Sequence, residues 1–518
     1  MKRPGIIDRA MKFFGWQRRD VTVFSGAQGG RLTLDWVASI LSADQEIKGN
    51  IRLLRARARE LSRNNPIVKS YLKLLCANVV GPHGISYKAQ VRNKNGEFNQ
   101  AFNQKIEAAW KDWSKKGTCT ADGKYSFRSV QNLVIKNLAV DGEVLVRMVP
   151  GFPNKFGFAL QTIDADQLDP LFTRAPSSGY GDSSNEIRMG IEVDKWSRPV
   201  AYHINQKHPS DLGGSLLRER IPAEFILHLY DPERVNQTRG ITWLHPVMTE
   251  LRMLGGYIEA ELVAARVGAA KIGFLKYTDA SGFDAPNQDA KYRVEAQPGV
   301  IETLPPGMEF QEWSPEHPAM AFPNFVITVM RFIASGLGVS YNALASDLVG
   351  VNYSSMRSGM LIERDQWRIC QSVMKENFLQ SVFENWISMA LLSGQLVLDS
   401  RDPSRFLAGK WEPRGWQWVD PLKDVQSAIL AIGSGLDSRD RILAEKGADI
   451  DEVFEQLKEE NDLKEEYGLE FPMTSVAPKP PQAAGDPSDP ADAGDDDNEN
   501  ENENEDAARV LNIAGRKQ

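Results

Sequence analysis

Apolar residues recur at helical spacing over long stretches of this chain. From about Ala43 to Asn78 they fall near every 3.6 positions, and Pro66 is expected to divide this stretch into two helices. The same spacing predicts helices from Phe98 to Lys115 and from Ser126 to Asp141. Further helices are predicted from about Trp243 to Lys271, from Asn324 to Ser335 and from Ser354 to Leu392, with two or three more between Leu422 and Leu469.

Alternating and β-branched runs predict strands between these helices. Glu143 to Met148 alternates in the manner of a strand, and Ile187 to Val193 and Val200 to Ile204 show similar patterns. A short αβ insertion is expected at Ile272 to Trp313, and a non-helical segment at Gly336 to Asn352. The pattern therefore predicts an α+β fold that is mainly helical.

Composition changes this picture at the two ends of the chain. The chain has 518 residues, 42% of them hydrophobic, which is enough for a large core and suggests about two to four domains. Its formal net charge is −8, yet residues 485–518 alone hold eleven acidic residues against three basic ones. The body is therefore nearly neutral, which disfavours a wide basic surface for nucleic acid. Residues 1–45 are predicted to be a mobile basic arm, and residues 471–518 a disordered acidic tail, because the tail has little apolar surface to bury.

The cysteines and the apolar runs bear on the cellular compartment of the protein. Cys76, Cys119 and Cys370 lie far apart and form no CxxC pair, so neither a disulfide framework nor a zinc site is predicted. The apolar stretches of Met1 to Asp20 are too short for a signal peptide. No run approaches the roughly 20 apolar residues of a membrane-spanning helix. We therefore expect a cytoplasmic protein without a membrane partner.

Motifs of the common enzyme classes are not found. Gly123-Lys124 and Gly409-Lys410 lack the upstream glycine of a P-loop and are followed by Tyr125 and Trp411. The six histidines form no HExxH or HxH pattern that would hold a catalytic metal. We predict no catalytic residue, no metal site and no cofactor.

Two clusters of charged residues leave alternatives open. Asp164, Asp166 and Asp169 could hold Mg²⁺ for phosphoryl chemistry, but a polar turn after a strand ending at Ile163 is the favoured interpretation. A row of arginines on the first predicted helix could contact phosphates, pair with acidic residues of a neighbouring subunit, or face solvent. These arginines are Arg52, Arg55, Arg57, Arg59 and Arg63.

A series of unusual strings follows one another over roughly residues 50 to 470. They are Arg55-Ala56-Arg57-Ala58-Arg59, Asn78-Val79-Val80-Gly81, Asp141-Gly142-Glu143, Gln161-Thr162-Ile163-Asp164, Gly190-Ile191-Glu192-Val193-Asp194, Arg198-Pro199-Val200, His228-Leu229-Tyr230 through Gln237-Thr238-Arg239-Gly240, Leu304-Pro305-Pro306-Gly307, Gly336-Leu337-Gly338, Asn352-Tyr353-Ser354-Ser355, and Trp418-Val419-Asp420-Pro421. Each string is weak alone, whereas their common order is a strong signal. In that order they resemble the lambda-type family of tailed-phage portal proteins.

The resemblance implies a portal fold, in which each chain contributes a wing, stem, clip, tunnel loop and crown to a ring of twelve subunits. The implied regions are the N-terminal arm at 1–45, the wing at 46–240, stem helix 1 at 241–271, the clip at 272–321, stem helix 2 at 322–344, the tunnel loop at 345–358, the tunnel helix and wing return at 359–425, crown-like helices at 426–470, and the acidic tail at 471–518.

The resemblance also implies a function, namely a non-enzymatic channel through which double-stranded DNA enters and leaves the capsid at its unique vertex. The clip would dock the terminase large subunit during packaging, and a head-completion or adaptor protein afterwards. The wing would contact the major capsid protein and the scaffold. The protein would belong to the virion after assembly in the host cytoplasm. The alternatives are another head-tail adaptor ring and, less favoured, a metal-dependent DNA-processing enzyme.

Two sets of side chains are candidates for these contacts. The implied tunnel loop is polar and has one full positive charge, which would hold DNA weakly enough to slide. The residues expected to face DNA are Ser346, Val349, Asn352, Tyr353, Ser354, Ser355 and Arg357. Since a cyclic ring joins two different complementary surfaces, segregated charges are candidates for subunit interfaces or DNA contact. These are Arg52, Arg55, Arg59, Arg63, Glu363, Arg364 and Arg368.

Overall fold

The computed structural model divides the chain into two compact units, Met1–Val419 and Asp420–Gln518. The structure describes residues 39–176, 185–211, 217–269, 273–277, 308–312, 322–349, 353–398, 402–416, 421–445 and 450–468. The predicted acidic tail, most of the predicted clip and all but the end of the predicted arm lie outside these ranges.

The first two helices meet at a boundary that the sequence specifies locally. Helix α1 spans Ala43–Asn64 and helix α2 spans Pro66–Leu75, which continues into a π-helical turn at Cys76–Val80. The Asn65 side chain accepts hydrogen bonds from the backbone N–H groups of Ile67 and Val68. Pro66 fits the first helical position, where no N–H partner is needed. The predicted division at Pro66 is confirmed.

Helices α3 (Gln100–Trp113) and α4 (Phe127–Asp141) build the main core. The ring of Trp110 lies 4.9 Å from that of Trp386 and 5.4 Å from that of Phe383, centroid to centroid. The Trp113 indole N–H donates to the Phe158 carbonyl at 2.9 Å, so this buried ring also satisfies its polar atom. The aromatic face predicted for α3 is therefore the face that packs on residues some 270 positions later in the chain.

Two antiparallel sheets lie beside this core, and only the first of them packs directly on it. In the first, the central strand β2 (Glu143–Pro150) pairs with β3 (Phe158–Ile163) and β8 (Ile226–Tyr230). In the second, the order is β4 (Glu186–Arg188), β5 (Ile191–Val193), β6 (Pro199–Asn205) and β7 (Arg218–Pro222). Strand β2 is buried on both faces, because Val144 and Val146 belong to the main core while Leu145 belongs to a second core beneath the other sheet. Strand β1, which precedes these sheets in the chain, spans Ser86–Ala89.

One predicted strand is divided in the structure. Ile187 to Val193 forms the end of β4, a turn, and β5, rather than one continuous strand. The turn residues Met189 and Gly190 both have positive φ, 47° and 89°. Hydrophobic patterning cannot reveal this hairpin, since Met rarely adopts that backbone conformation.

The second half of the first unit is a set of helices with two further strand pairs. Strands β9 (Gly273–Tyr277) and β10 (Met308–Glu312) pair at the base of the predicted clip, and β11 (Gly409–Glu412) pairs with β1. The helices are α5 Met248–Ala269, α6 Phe322–Gly336, α7 Tyr341–Ala345, α8 Tyr353–Met374 and α9 Gln380–Leu392, the last two joined by a π-helical turn at Lys375–Leu379. The predicted helix from Ser354 to Leu392 is confirmed, and α7 is an additional helix inside the segment predicted to be non-helical.

The second unit is helical where it is described. Its helices are α10 Pro421–Gly433, α11 Arg439–Glu445 and α12 Ile450–Tyr467. Three helices agree with the predicted two or three, and the mainly helical α+β class predicted for the chain is confirmed.

Candidate subunit-contact and channel surfaces

Helices α5 and α6 form an antiparallel pair. The Tyr257 ring in the middle of α5 lies 5.6 Å from Phe322 and 5.1 Å from Phe325, at the start of α6. At the other end, a Cβ on Gly336 would lie 2.4 Å from a methyl carbon of Val247, so glycine permits the close approach. The start of α5 therefore lies beside the end of α6.

Both helices of this pair leave large apolar side chains exposed. Met253, Leu262 and Val263 of α5 and Phe325 and Phe332 of α6 are each more than half exposed. Phe325 and Phe332 are seven residues apart and thus share a face of the helix. A soluble monomer rarely leaves this many large apolar side chains of one helix pair in water, so this exposure is typical of a contact surface.

Helix α8 has a second apolar face. Ile362 and Ile369, again seven residues apart, are 68% and 58% exposed, whereas Trp367 and Gln371 on the other side are buried. The Gln371 amide donates to the carbonyls of Asn78 and Arg414, which fixes α8 on the rest of the unit. The exposed face is therefore held in place while it remains without a partner in the single chain.

The charged candidates on α8 make contacts within their own subunit. Glu363 accepts a hydrogen bond from the Ser340 hydroxyl at 2.9 Å. Burial raises the pKa of the Glu363 carboxyl, although the Ser340 bond opposes the shift. The Arg364 guanidinium lies 6.0 Å from the centre of the Trp416 ring, and Arg368 pairs with Asp365 one turn earlier at 2.9 Å. Arg368 alone of the three predicted residues is exposed.

The predicted tunnel loop begins at the end of α7. Ser346 is exposed and has a left-handed backbone (φ 54°), and Val349 is 89% exposed. Asp347 organises the turn, since it accepts hydrogen bonds from the Tyr341 hydroxyl and the Val349 N–H. Asn352 lies outside the described residues. Tyr353, Ser354 and Ser355 form the start of α8, and Arg357, in its second turn, is partly buried.

The arginine row of α1 is mostly engaged inside the subunit. Arg55 is 1% exposed and pairs with Glu143 at 2.7 Å and with Asp166 at 2.6 Å. Arg59 pairs with Asp141, Asp164 and Asp166 at 2.7 to 2.8 Å. Arg55 therefore reaches neither DNA nor a neighbouring subunit, which corrects the expectation for this residue. The residues of the row with exposed side chains are Arg52, which pairs with Asp169, Arg57 and Arg63.

Glu143 is the centre of this charge network. Its side chain is fully buried and accepts hydrogen bonds from Arg239, Arg55, His228 and the Gly240 N–H. Burial alone would raise the pKa of the Glu143 carboxyl, but Arg239 and Arg55 outweigh it and hold this pKa well below its ordinary value. Burial lowers the pKa of His228, and the two nearby guanidinium groups act in the same direction.

The aspartate triplet belongs to the same network. Asp164 caps a single 3₁₀ turn at Ala165–Gln167, which agrees with the favoured interpretation of a polar turn. Asp164, Asp166 and His208 place their ligand atoms within 4.8 Å of one another, a spacing suited to a metal ion. The carboxylates, however, already bind Arg59 and Arg55, while Asp169 binds Arg52 and Arg218. The carboxylates that Mg²⁺ would need are therefore already neutralised by guanidinium groups.

Sequence reasoning missed this network, although one signal for it was present. Arg55 lies on the buried stripe of α1 defined by Ile47, Ile51, Ala58 and Leu61. A charged residue on an apolar stripe requires a buried partner of opposite charge. The partner could not be read from spacing, because Glu143 follows 88 positions later.

No helix among the described residues is long and apolar enough to cross a membrane. Long helices with exposed apolar faces, carried on a core whose charges are satisfied internally, are typical of a subunit of a larger assembly.

Comparison with known proteins gives the family. The sequence model of the phage portal proteins of the lambda family matches residues 29–371. The chain is 38% identical over 449 residues to the probable portal protein of Halomonas phage phiHAP-1, covering 84% of this chain and 86% of that protein. The chain therefore belongs to the lambda family of phage portal proteins, and the resemblance drawn from its motifs is confirmed.

Two more distant relatives are also portal proteins, and one solved structure aligns with most of the chain. The chain is 24% identical over 498 residues to the portal protein of Escherichia phage N15, covering 87% of this chain and 92% of that protein. It is also 24% identical over 500 residues to portal protein B of Escherichia phage lambda, covering 87% and 90%. A chain from the neck of a native GTA particle computed with C12 symmetry aligns over 76% of this chain and 93% of its own, at 14% identity and a TM-score of 0.40.

Proposed function

We propose that this chain assembles with copies of itself into a ring of twelve subunits, and that double-stranded DNA passes through the central channel. The observation that carries this proposal is the pair of exposed apolar faces, one on α5 and α6 and one on α8. A cyclic ring joins two different surfaces of the same chain, so two separate faces are what a ring requires. In this arrangement α5 and α6 form the stem and α8 the tunnel helix.

The segment from Ala345 to Ser358 is the proposed DNA-facing loop. It projects Ser346, Leu348 and Val349 into solvent, and none of these side chains carries a positive charge. Each fixed phosphate contact adds salt-dependent affinity, so a nearly uncharged lining retards moving DNA little. The loop is thus suited to confine DNA without binding it tightly.

The remaining surfaces are assigned to partners on the basis of the family. The clip, with β9 and β10 at its base, docks the terminase large subunit during packaging and a head-completion or adaptor protein afterwards. The wing contacts the major capsid protein and the scaffold. The ring then occupies the unique vertex of the virion, having assembled in the host cytoplasm, and the motor bound to it supplies the energy of DNA movement.

Ring assembly is tested with charge substitutions on the two faces. Phe332→Asp and Ile362→Asp each place a charge where the proposed interface excludes water, so rings should be lost or strongly depleted in negative-stain images and in sedimentation. Trp196→Asp is the matched control, since Trp196 is 79% exposed in the turn between β5 and β6 and belongs to neither face. Normal rings from both face variants, with native circular dichroism, would refute the assignment of these faces.

A further inference from the structure

A groove outside these faces lies between the first turns of α1 and the segment 233–245. Its floor is apolar, formed by Ile47, Ile51 and Ile241, and its rim includes Glu46, Asn50 and Arg234. The groove encloses about 240 Å³, whereas one water occupies roughly 30 Å³ of the liquid. The space is therefore large enough for apolar side chains.

The chain that precedes α1 already lies on the rim of this α1 groove. The Arg234 guanidinium donates to the Leu41 carbonyl at 3.3 Å and pairs with Glu46 at 2.5 Å. Ile40 is fully exposed and Leu41 is half exposed. The described chain therefore begins beside the groove and leaves two apolar side chains largely in water.

The segment just upstream has a pattern of apolar residues suited to binding in the α1 groove. Leu32, Leu34 and Trp36 alternate with Thr33 and Asp35, which is the pattern of an extended strand that buries one side. The groove runs beside α1 from Ala43 to Leu54, a length of about 16 Å at 1.5 Å per residue. Six extended residues back from Ser42 span at most about 20 Å, so this length of chain is sufficient for Trp36 to reach the groove.

We propose that the chain's own residues 32–37 fold back along α1 and bind in the α1 groove, with Trp36 and Leu34 on its apolar floor. The short connection favours the same chain over a neighbouring copy, since closing a short loop loses less entropy than ordering a longer one. The arm is then anchored near residue 37, and only the residues before the anchor are free to reach other partners.

A disulfide pair tests this contact in the complete assembled protein. Asp35→Cys, which leaves both apolar anchors in place, is combined with Asn50→Cys, because Asn50 is an exposed residue on the rim of the groove. The control combines Asp35→Cys with Gln45→Cys, an exposed position on α1 that does not line the groove. Gln45 is nearer to Asp35 in sequence, so an unbound arm would form the control disulfide more readily.

The expected result is a disulfide within one chain that forms several-fold faster in the Asn50 pair than in the Gln45 pair under oxidised glutathione. Peptide mass spectrometry identifies the bond, and non-reducing electrophoresis separates it from a bond between chains. Equal or reversed rates would overturn the proposal, and so would covalent dimers, which would show that a neighbour's arm occupies the groove.

A labelling measurement tests the occupant without a disulfide. The thiol introduced by Asn50→Cys alone should react slowly with a maleimide reagent, because the bound segment covers it. Adding Leu34→Ser and Trp36→Ser to the same chain removes the apolar anchors and should speed the labelling several-fold. An unchanged labelling rate would also overturn the proposal.

Discussion

The buried carboxylate of Glu143 gives a quantitative prediction. Glu143→Gln removes the charge that faces Arg239 and Arg55, both of which are at most 1% exposed. Arg55 keeps Asp166 at 2.6 Å, but the other hydrogen-bond partners of Arg239 are backbone carbonyls, so Arg239 is left as a buried charge without a counterion. Breaking a buried pair in this way costs about 3 to 5 kcal/mol of unfolding free energy.

Thermal unfolding at fixed protein concentration measures this loss. At about 2 °C per kcal/mol for a large domain, the midpoint should fall by about 6 to 10 °C. The matched control is Glu219→Gln, which removes the partner of Arg147 from a strand surface where the carboxylate is 42% exposed. A surface pair contributes at most about 1 kcal/mol, so the control should shift by about 2 °C or less. If Glu143→Gln melts within 2 °C of the control, the network does not stabilise the fold as argued.

Two further predictions concern pH and the loop. The pKa of His228 in the folded protein lies below its ordinary value of 6.5. As pH decreases, the unfolded chain therefore binds this proton at a higher pH than the folded protein does. The free energy of unfolding should fall as pH decreases from 7 through 6.5. His228→Gln should flatten that slope in melting curves, unlike substitution of the exposed His83, and an unchanged slope would contradict this account. Deleting Leu348 to Tyr353 should leave rings in micrographs but lower the fraction of particles that retain DNA. Replacement by a Gly-Ser segment of equal length serves as the control, and normal DNA retention in the deletion variant would remove the loop from the mechanism.

Local signals determined which helices could be predicted from the sequence. Asn65 and Pro66 mark the boundary between α1 and α2 without help from distant residues. The run from Tyr353 to Leu392 also keeps its apolar spacing through the π-helical turn, so its length was predictable. In each case the deciding residues lie within a few positions of the feature.

Features that depend on distant pairing could not be predicted. Strands β1 and β11 pair Tyr87 with Trp411, and no periodicity in either segment identifies the other. The arginine row of α1 shows the same limitation, because helical spacing gives the face on which Arg55 lies but not the carboxylate that it meets. The tunnel-loop and interface assignments of exposed residues remain predictions, since a single chain contains neither DNA nor a neighbouring subunit.

The geometry around Glu143 explains why the family could be recognised from short strings. A Cβ on Gly240 would lie 2.0 Å from the Gly142 carbonyl oxygen, and one on Gly142 would lie 2.1 Å from the Ile241 carbonyl carbon. Two backbone segments therefore cross at a point where only glycines fit, and the crossing sets Glu143 opposite Arg239. The residue types in Asp141-Gly142-Glu143 and Arg239-Gly240 are therefore required by the folded structure. Phe332 and Ile362, on the proposed contact faces, lie outside every string. Changes at Gly142, Glu143, Arg239 or Gly240 should therefore act through stability, and changes on the faces through assembly.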